Sequence, residues 1–554
     1  MKDDGRGFNL AVLFAFLLLA PLAYANVLNS FFLSDDFVVL ARLAAGNHSP
    51  VYAESQGGLI RVLLPLSALL DLRLWGLNPL GFHLSNVALH ALNSFLVYLL
   101  ALRLRRDDAR AHNAQSGVTP ASRALDTPAA RRLAALAAGL IFLLHPSHTE
   151  SVTWTTGRVD VQMAFFYLLA LLAFSSYAET TLRTRLWLAL AAFALALLAK
   201  EPAVSFPLAA FVTGLYLARG RGLSGALGRA ARLVWPFFAL LAAYVAARAL
   251  VVGSLVGGYG ASRHLNFKHS VVVSQLLRSV LRALLPAVVL QSRALESHAL
   301  SVALLALGFA VALGFAFVLL RARLRRTLFA RARRPALLWA LAALFLICLL
   351  PTINLRVDVY TTQGERYLYL PTAFSSVALA LALARARRQR LALAAASCLL
   401  VFYAAALWQT NRIWRQASDL SRSIVEDIGG QAGGGASVYV LNAPDTLRGV
   451  HLYRNGIAES VALFLPAKQV ASVNVLSWHT LLTPLDRVEL SADPAGYKLT
   501  LADPRATFER VDAAPPCVSL SGRSRNELRL RLEGCPPTVK VFYFGEGRMR
   551  ALAP

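Results

Sequence analysis

The chain has 554 residues, 57% hydrophobic and 16% charged, with 56 Lys and Arg against 30 Asp and Glu and a net charge of +26. Soluble domains average about 45–50% apolar residues, so the mean hydropathy of +0.53 and long apolar runs such as 8–28 and 301–320 exclude an ordinary soluble protein. The basic excess does not indicate nucleic-acid binding, which needs a contiguous charged surface; here the arginines fall in short clusters between apolar runs.

The N-terminal residues 1–7 are short and mixed in charge. The first apolar run is long, and Pro21-Leu22-Ala23-Tyr24-Ala25-Asn26 offers a poor cleavage site, so 8–28 reads as an uncleaved span. Further spans are expected at 81–102, 133–147, 161–178, 186–199, 202–218, 233–251, 299–320, 336–353, 367–384 and 391–409, about eleven in all. They must be helical, because lipid offers backbone groups no water partner. Lys200-Glu201-Pro202 interrupts what is otherwise one long apolar stretch.

With the N-terminus in the cytoplasm, connections 103–132, 179–185, 219–232, 321–335 and 385–390 share one side, and each is rich in arginine. The opposite connections, 29–80, 145–160, 200–201, 252–298 and 354–366, carry mixed charge and most of the conspicuous acids. Loop bias toward Lys and Arg marks the cytoplasmic face. The odd span count then puts the C-terminus outside.

Character changes after residue 410. A juxtamembrane helix near 408–427 leads to a Gly-rich joint at 429–435, and strand-like runs follow at 437–441, 497–501, 528–532 and 539–544. The expected organisation is a polytopic membrane module over 1–410, a helix and linker over 411–435, and a β-rich extracytoplasmic domain over 436–554. The fold class is mainly α. Cys348 and Cys398 lie in spans; Cys517 and Cys535 lie in the external domain, where a disulfide is expected.

Four polar clusters fall on the external side. The first loop opens with Ser34-Asp35-Asp36, where desolvation and mutual repulsion raise one carboxyl pKa, as suits a general base. Next come His145-Pro146-Ser147-His148-Thr149-Glu150 and Gly157-Arg158-Val159-Asp160. The two histidines, three apart, share a face if the turn is helical; His with Asp or Glu can ligate zinc or manganese, but the spacing is not a strong zinc signature, and no metal is expected. The third cluster is Lys200-Glu201-Pro202; the fourth runs from Gln363 through Glu365, Arg366, Tyr367 and Tyr369 to Pro371. The loop 252–270 adds Arg263, His264, Lys268 and His269 on the same side, and Tyr367 and Tyr369 fit an interfacial aromatic belt. Ionisable residues at membrane depth are costly and mark functional sites. Carboxylates and cations at one membrane face suit a substrate with a lipid tail and an interfacial phosphate.

These motifs, in this order over about residues 8–410, resemble the GT-C superfamily of polyprenyl-phosphate-sugar glycosyltransferases, and among them the bacterial relatives of the transmembrane O-mannosyltransferases that target cadherins. The likeness rests on Asp35-Asp36 after the first span, His145 to Asp160, Lys200-Glu201 and Glu365 to Pro371. It implies a GT-C-like bundle in a bacterial inner membrane. It implies inverting transfer of a mannose-like hexose from a polyprenyl phosphate to a protein or glycan hydroxyl, without metal or other cofactor. Asp35 or Asp36 would be the base, Asp35 favoured. Arg158, Lys200 and Arg366 would steady the leaving phosphate, with His145 and His148 as hydrogen-bond partners and Glu150, Asp160, Glu201 and Glu365 completing the donor site. The cadherin-targeting enzymes carry tetratricopeptide repeats after the membrane part, and no such repeat is present here, so their acceptor does not carry over. A lipid-linked-sugar flippase and a non-catalytic membrane scaffold are the alternatives.

Overall fold

The computed structural model describes residues 3–52, 58–113, 127–253, 269–287, 335–384, 389–466, 469–481, 483, 486–493, 496–503, 507–510, 517–524 and 526–552. The expected span at 299–320 and the residues Arg263, His264 and Lys268 lie outside them.

The membrane body contains α1 (Asp3–Ala23), α2 (Asp35–Ala44), α3 (Leu63–Trp75), α4 (Pro79–Asn113), α5 (Pro128–Leu143), α6 (Arg158–Thr180), α7 (Arg183–Ala199), α8 (Phe206–Ala218), α9 (Leu223–Val252), α10 (His269–Arg282), α11 (Pro335–Leu349), α12 (Tyr369–Ala384) and α13 (Gln389–Ala432). Among the described residues seven helices are long and apolar enough to cross a membrane, eight if the pair Pro128–Leu143 and Pro146–Val152, bent by 49°, is one span; Ala336–Thr352 is a shorter apolar helix. Phe14, Leu18, Trp187, Trp235 and Leu250 stand exposed on the outside. Such large apolar surface is stable only against lipid. The chain is a multi-pass membrane protein.

Local sequence sets the breaks. The Thr127 side chain caps α5 by accepting from Ala130 N at 3.2 Å, with Pro128 following. The helix stops before His145-Pro146, since proline removes a donor and disfavours helical geometry at the residue before it. Lys200 is extended between α7 and the short turn Glu201–Ser205.

The final helix runs unbroken for 44 residues, so 411–432 continue the last span as one rod. Its buried residues Tyr403, Leu407, Trp414, Ala417, Ser421, Ile424 and Ile428 recur at helical spacing. That burial outweighs the weak helix preference of Gly429 and Gly430. The rod ends where Gly433 and Gly435 take positive φ of 75° and 71°.

Among the described residues the C-terminal domain holds three four-stranded sheets. One orders Arg548–Ala551, Val539–Gly545, Ala436–Val440 and Val470–Val475, the first pair antiparallel and the other two parallel. A second orders Phe508–Arg510, Ser477–Leu481, Ala443–Leu447 and Val450–His451. The outer one, Val518–Ser524, Glu527–Leu532, Gly496–Leu501 and Val488–Asp493, is antiparallel throughout, and a disulfide links Cys517 to Cys535 beside it. The domain is bolted to the rod: Asp427 accepts from Met549 N at 2.9 Å, and Gln431 bonds the backbone of Met549 and Ala551. One apolar core runs from Phe16 in α1 through Trp414 to Phe542 and Phe544.

Candidate active site

All four polar clusters lie at the same end of the bundle, the end that carries the β-rich domain. The frame is the extended stretch between α1 and α2. Its four consecutive carbonyls accept from side chains of three other segments: Ser30 O from His83 at 2.9 Å, Phe31 O from Ser418 at 3.0 Å, Phe32 O from Ser421 at 3.1 Å and Leu33 O from Trp154 Nε1 at 3.2 Å. Ser418 and Ser421 share α13, one turn apart. This stretch has no ladder of its own, and its buried groups must be paired from outside.

Asp35 and Asp36 follow, in the first turn of α2. Asp36 is buried, and its two oxygens accept from Leu33 N at 3.1 Å and Thr156 N at 2.8 Å. Burial raises its carboxyl pKa to about 7, against the lowering effect of those two N–H bonds. Asp35 is half-buried, and its Oδ1 accepts from Asn455 Nδ2 of the C-terminal domain at 2.7 Å. The adjacent acids thus differ: Asp36 is committed to backbone, Asp35 to one amide at the surface.

The segment from His145 to Asp160 is buried throughout. Ala283 O must accept from His145 Nε2 (3.0 Å), so Nδ1 is the ring's acceptor and takes Ser147 Oγ at 2.8 Å. Thr372 Oγ1 donates to Tyr369 O and therefore accepts from His148 Nε2 at 2.7 Å. Both rings are held by protein partners as fixed tautomers. Glu150 accepts from Arg366 N at 2.9 Å and lies 3.7 Å from its guanidinium.

Arg158 sits inside the bundle, ion-paired to Asp71 and donating to Asn86 Oδ1 at 2.6 Å and Phe82 O at 3.0 Å. Asn86 in turn donates to the carbonyls of Val152, Trp154 and Thr155. Lys200 Nζ lies 2.6 Å from both oxygens of Asp160, each side chain 3% exposed. Glu201 faces Arg61 at 3.6 Å on a more open rim. Glu365 pairs with Arg282 of α10 and accepts from Thr149 Oγ1 at 3.4 Å. Arg366 has 13% of its side chain exposed against 1% for Arg158, 3% for Lys200 and 0% for Arg282. Its guanidinium lies 5.3 Å from the rings of both Trp154 and Tyr367. The same indole thus contacts both this cation and, through Nε1, the carbonyl of Leu33, two residues before Asp35. Among the described residues no three His, Cys, Asp or Glu side chains converge as metal ligands.

Several site residues escaped the sequence reading: Asp71, Arg282, Trp154, Asn455 and the α4 stripe His83, Asn86, His90 and Asn93. The stripe had a signal. His83 and His90 are seven apart, as are Asn86 and Asn93, so all four share one face of an apolar span, and all four are buried. Tyr369 is no interfacial belt residue; it is fully buried, bonded to His90 Nδ1 at 2.7 Å and Asn93 Nδ2 at 3.0 Å. Nothing local in the sequence signalled Asn455, whose partner is 420 positions away.

Fold and site together define a polytopic membrane protein with a buried ionic network under an extramembrane β-rich domain. No protein-family model matches the chain. The resemblance drawn from the motifs is found in curated relatives. The chain is 31% identical over 201 residues to the Drosophila melanogaster protein O-mannosyl-transferase Tmtc1, covering 34% of this chain and 21% of that one. It is 31% identical over 144 residues to Mus musculus protein O-mannosyl-transferase TMTC4, covering 24% and 17%. It thus spans about a fifth of the length of the curated relatives it matches. Among solved structures it is similar to ArnT from Cupriavidus metallidurans bound to undecaprenyl phosphate, with 12% identity, a TM-score of 0.43 and coverage of 91% and 98%.

Proposed function

We propose that this protein is an integral-membrane glycosyltransferase of the bacterial inner membrane. It moves a mannose-like hexose from a polyprenyl phosphate to an extracytoplasmic protein or glycan hydroxyl, with inversion. The observation that carries this reading is the arrangement around Trp154, whose Nε1 bonds Leu33 O, two residues before Asp35, and whose ring lies 5.3 Å from the Arg366 guanidinium. The curated relatives, named protein O-mannosyl-transferases, support the sugar class.

In the proposed reaction Asp35 takes the proton of the acceptor hydroxyl. The acceptor oxygen bonds the anomeric carbon as the bond from that carbon to the phosphate oxygen breaks. The transition state has oxocarbenium character. Polyprenyl phosphate leaves as an anion, and Arg366, more exposed than Arg158, Lys200 or Arg282, stabilises the charge as it develops. Asp36 keeps Asp35 at the head of α2, and Lys200–Asp160 and Arg158–Asp71 brace the segments around it. Donor and acceptor suffice for this chemistry. With the N-terminus in the cytoplasm, as the arginine-rich loops favour, the network and the C-terminal domain face outward.

The test is transfer of radiolabelled mannose from polyprenyl-phosphate mannose to envelope proteins and glycans in proteoliposomes. Wild type should form a new glycosidic product. Asp35→Asn should lose about 100-fold or more, the scale of general-base catalysis, with its melting temperature unchanged. Movement of intact donor between leaflets with no new linkage would make the protein a flippase instead.

A further inference from the structure

The C-terminal domain does more than cover this end of the bundle. Asn455 donates through Nδ2 to Asp35 Oδ1 at 2.7 Å, while its Oδ1 accepts from Ser34 Oγ at 2.7 Å. The amide orientation is fixed by chemistry, because a carboxylate takes an N–H and a hydroxyl hydrogen needs an oxygen acceptor. The loop carrying Asn455 is moulded to the acid pair. Ser34 N donates to Leu452 O at 2.7 Å, with Ser34 at a positive φ of 47° that few side chains adopt. Phe37 stacks on Tyr453 with ring centres 5.7 Å apart and planes 13° from parallel. Gly456 has φ 86°, and a Cβ there would lie 2.5 Å from Ser34 O, so only glycine permits the approach. On the far side His451 meets the Trp154 ring at 5.9 Å.

We infer that Asn455 is a positioning residue of the β-rich domain that holds the Asp35 carboxylate for proton abstraction, so that the domain completes the active site. This rests on the reading of Asp35 as the base. One oxygen of the carboxylate is pinned by the amide; the other is left for the acceptor hydroxyl. The domain that meets an extracytoplasmic acceptor thereby sets the geometry of the base.

The experiment compares Asn455→Ala, Asn455→Asp, Asp35→Asn and the Asp35→Asn/Asn455→Ala double variant in the full chain, with polyprenyl-phosphate mannose as donor. Asn455→Ala should lower kcat by about 10-fold, the scale of one hydrogen bond to a charged group, and leave the donor KM unchanged. Asn455→Asp, though the closer isostere, should be worse than alanine, because it sets a carboxylate against a carboxylate. The double variant should be no slower than Asp35→Asn alone. Additive losses, or aspartate milder than alanine, would overturn the positioning role. Full activity in Asp35→Asn would sink the base assignment itself, a separate result. Independently of turnover, carbodiimide labelling of Asp35 should rise in Asn455→Ala, and equal labelling counts against the inference.

Discussion

The backbone N–H of Thr156 donates to Asp36 Oδ1 at 2.8 Å and joins two connections 120 residues apart. Through that bond the head of α2 is tied to the buried turn that leads into α6. Buried backbone donors need partners, and here a carboxylate supplies one at the cost of its own hydration.

A pH dependence follows. Burial lifts the Asp36 carboxyl from 3.8 to about 7 in the folded protein. Between about pH 4 and 7 the native state therefore binds more protons at this site than the unfolded chain. Stability falls as pH rises through that window, by at most about 4 kcal/mol. The melting temperature in detergent should drop from pH 5 to pH 8 more steeply in wild type than in Asp36→Asn. Parallel pH curves for the two proteins would refute the assignment.

The Lys200–Asp160 pair predicts a non-additive pattern. Lys200→Met leaves a buried carboxylate uncompensated and should cost about 3–5 kcal/mol, whereas adding Asp160→Asn should restore much of it. Thermal unfolding of both variants measures this. A double variant as unstable as the sum of the singles would show that the two side chains do not act as a pair.

Arg366 should not tolerate lysine. Its planar guanidinium lies over Trp154 and Tyr367, and an ammonium does not reproduce that stacking. If it steadies the leaving phosphate, kcat/KM for the lipid donor should fall about 10-fold in Arg366→Lys and about 100-fold or more in Arg366→Ala. A well-folded alanine variant with normal kcat/KM would remove it from the mechanism.

Orientation is tested by labelling. Ser34 lies close to the site but is buried and unsuited to a probe; Asn47 and Arg183 are exposed at opposite ends of the bundle. In a chain without the free cysteines Cys348 and Cys398, Asn47→Cys should react with an impermeant maleimide from outside. Arg183→Cys should react only once the membrane is opened. The reverse result inverts the proposed topology.

Sequence alone determined that the chain is a multi-pass membrane protein with a β-rich C-terminal part, because hydropathy runs and strand alternation are local properties. The same locality placed His145 to Asp160, Lys200 and Glu365-Arg366 at span ends. It did not reveal which charges neutralise each other. Arg158 and Lys200, read as phosphate ligands, have buried acids against them, and Asp71 and Arg282 had drawn no notice. Nor did it reveal that 411–432 prolong the last span, since the stripe that holds this rod meets partners in α1, in the first loop and in a domain folded later in the chain. The division between Asp35 and Asp36 is the sharpest case. The two are neighbours of identical chemistry, and only tertiary packing buries one against Thr156 and leaves the other to Asn455 at the surface.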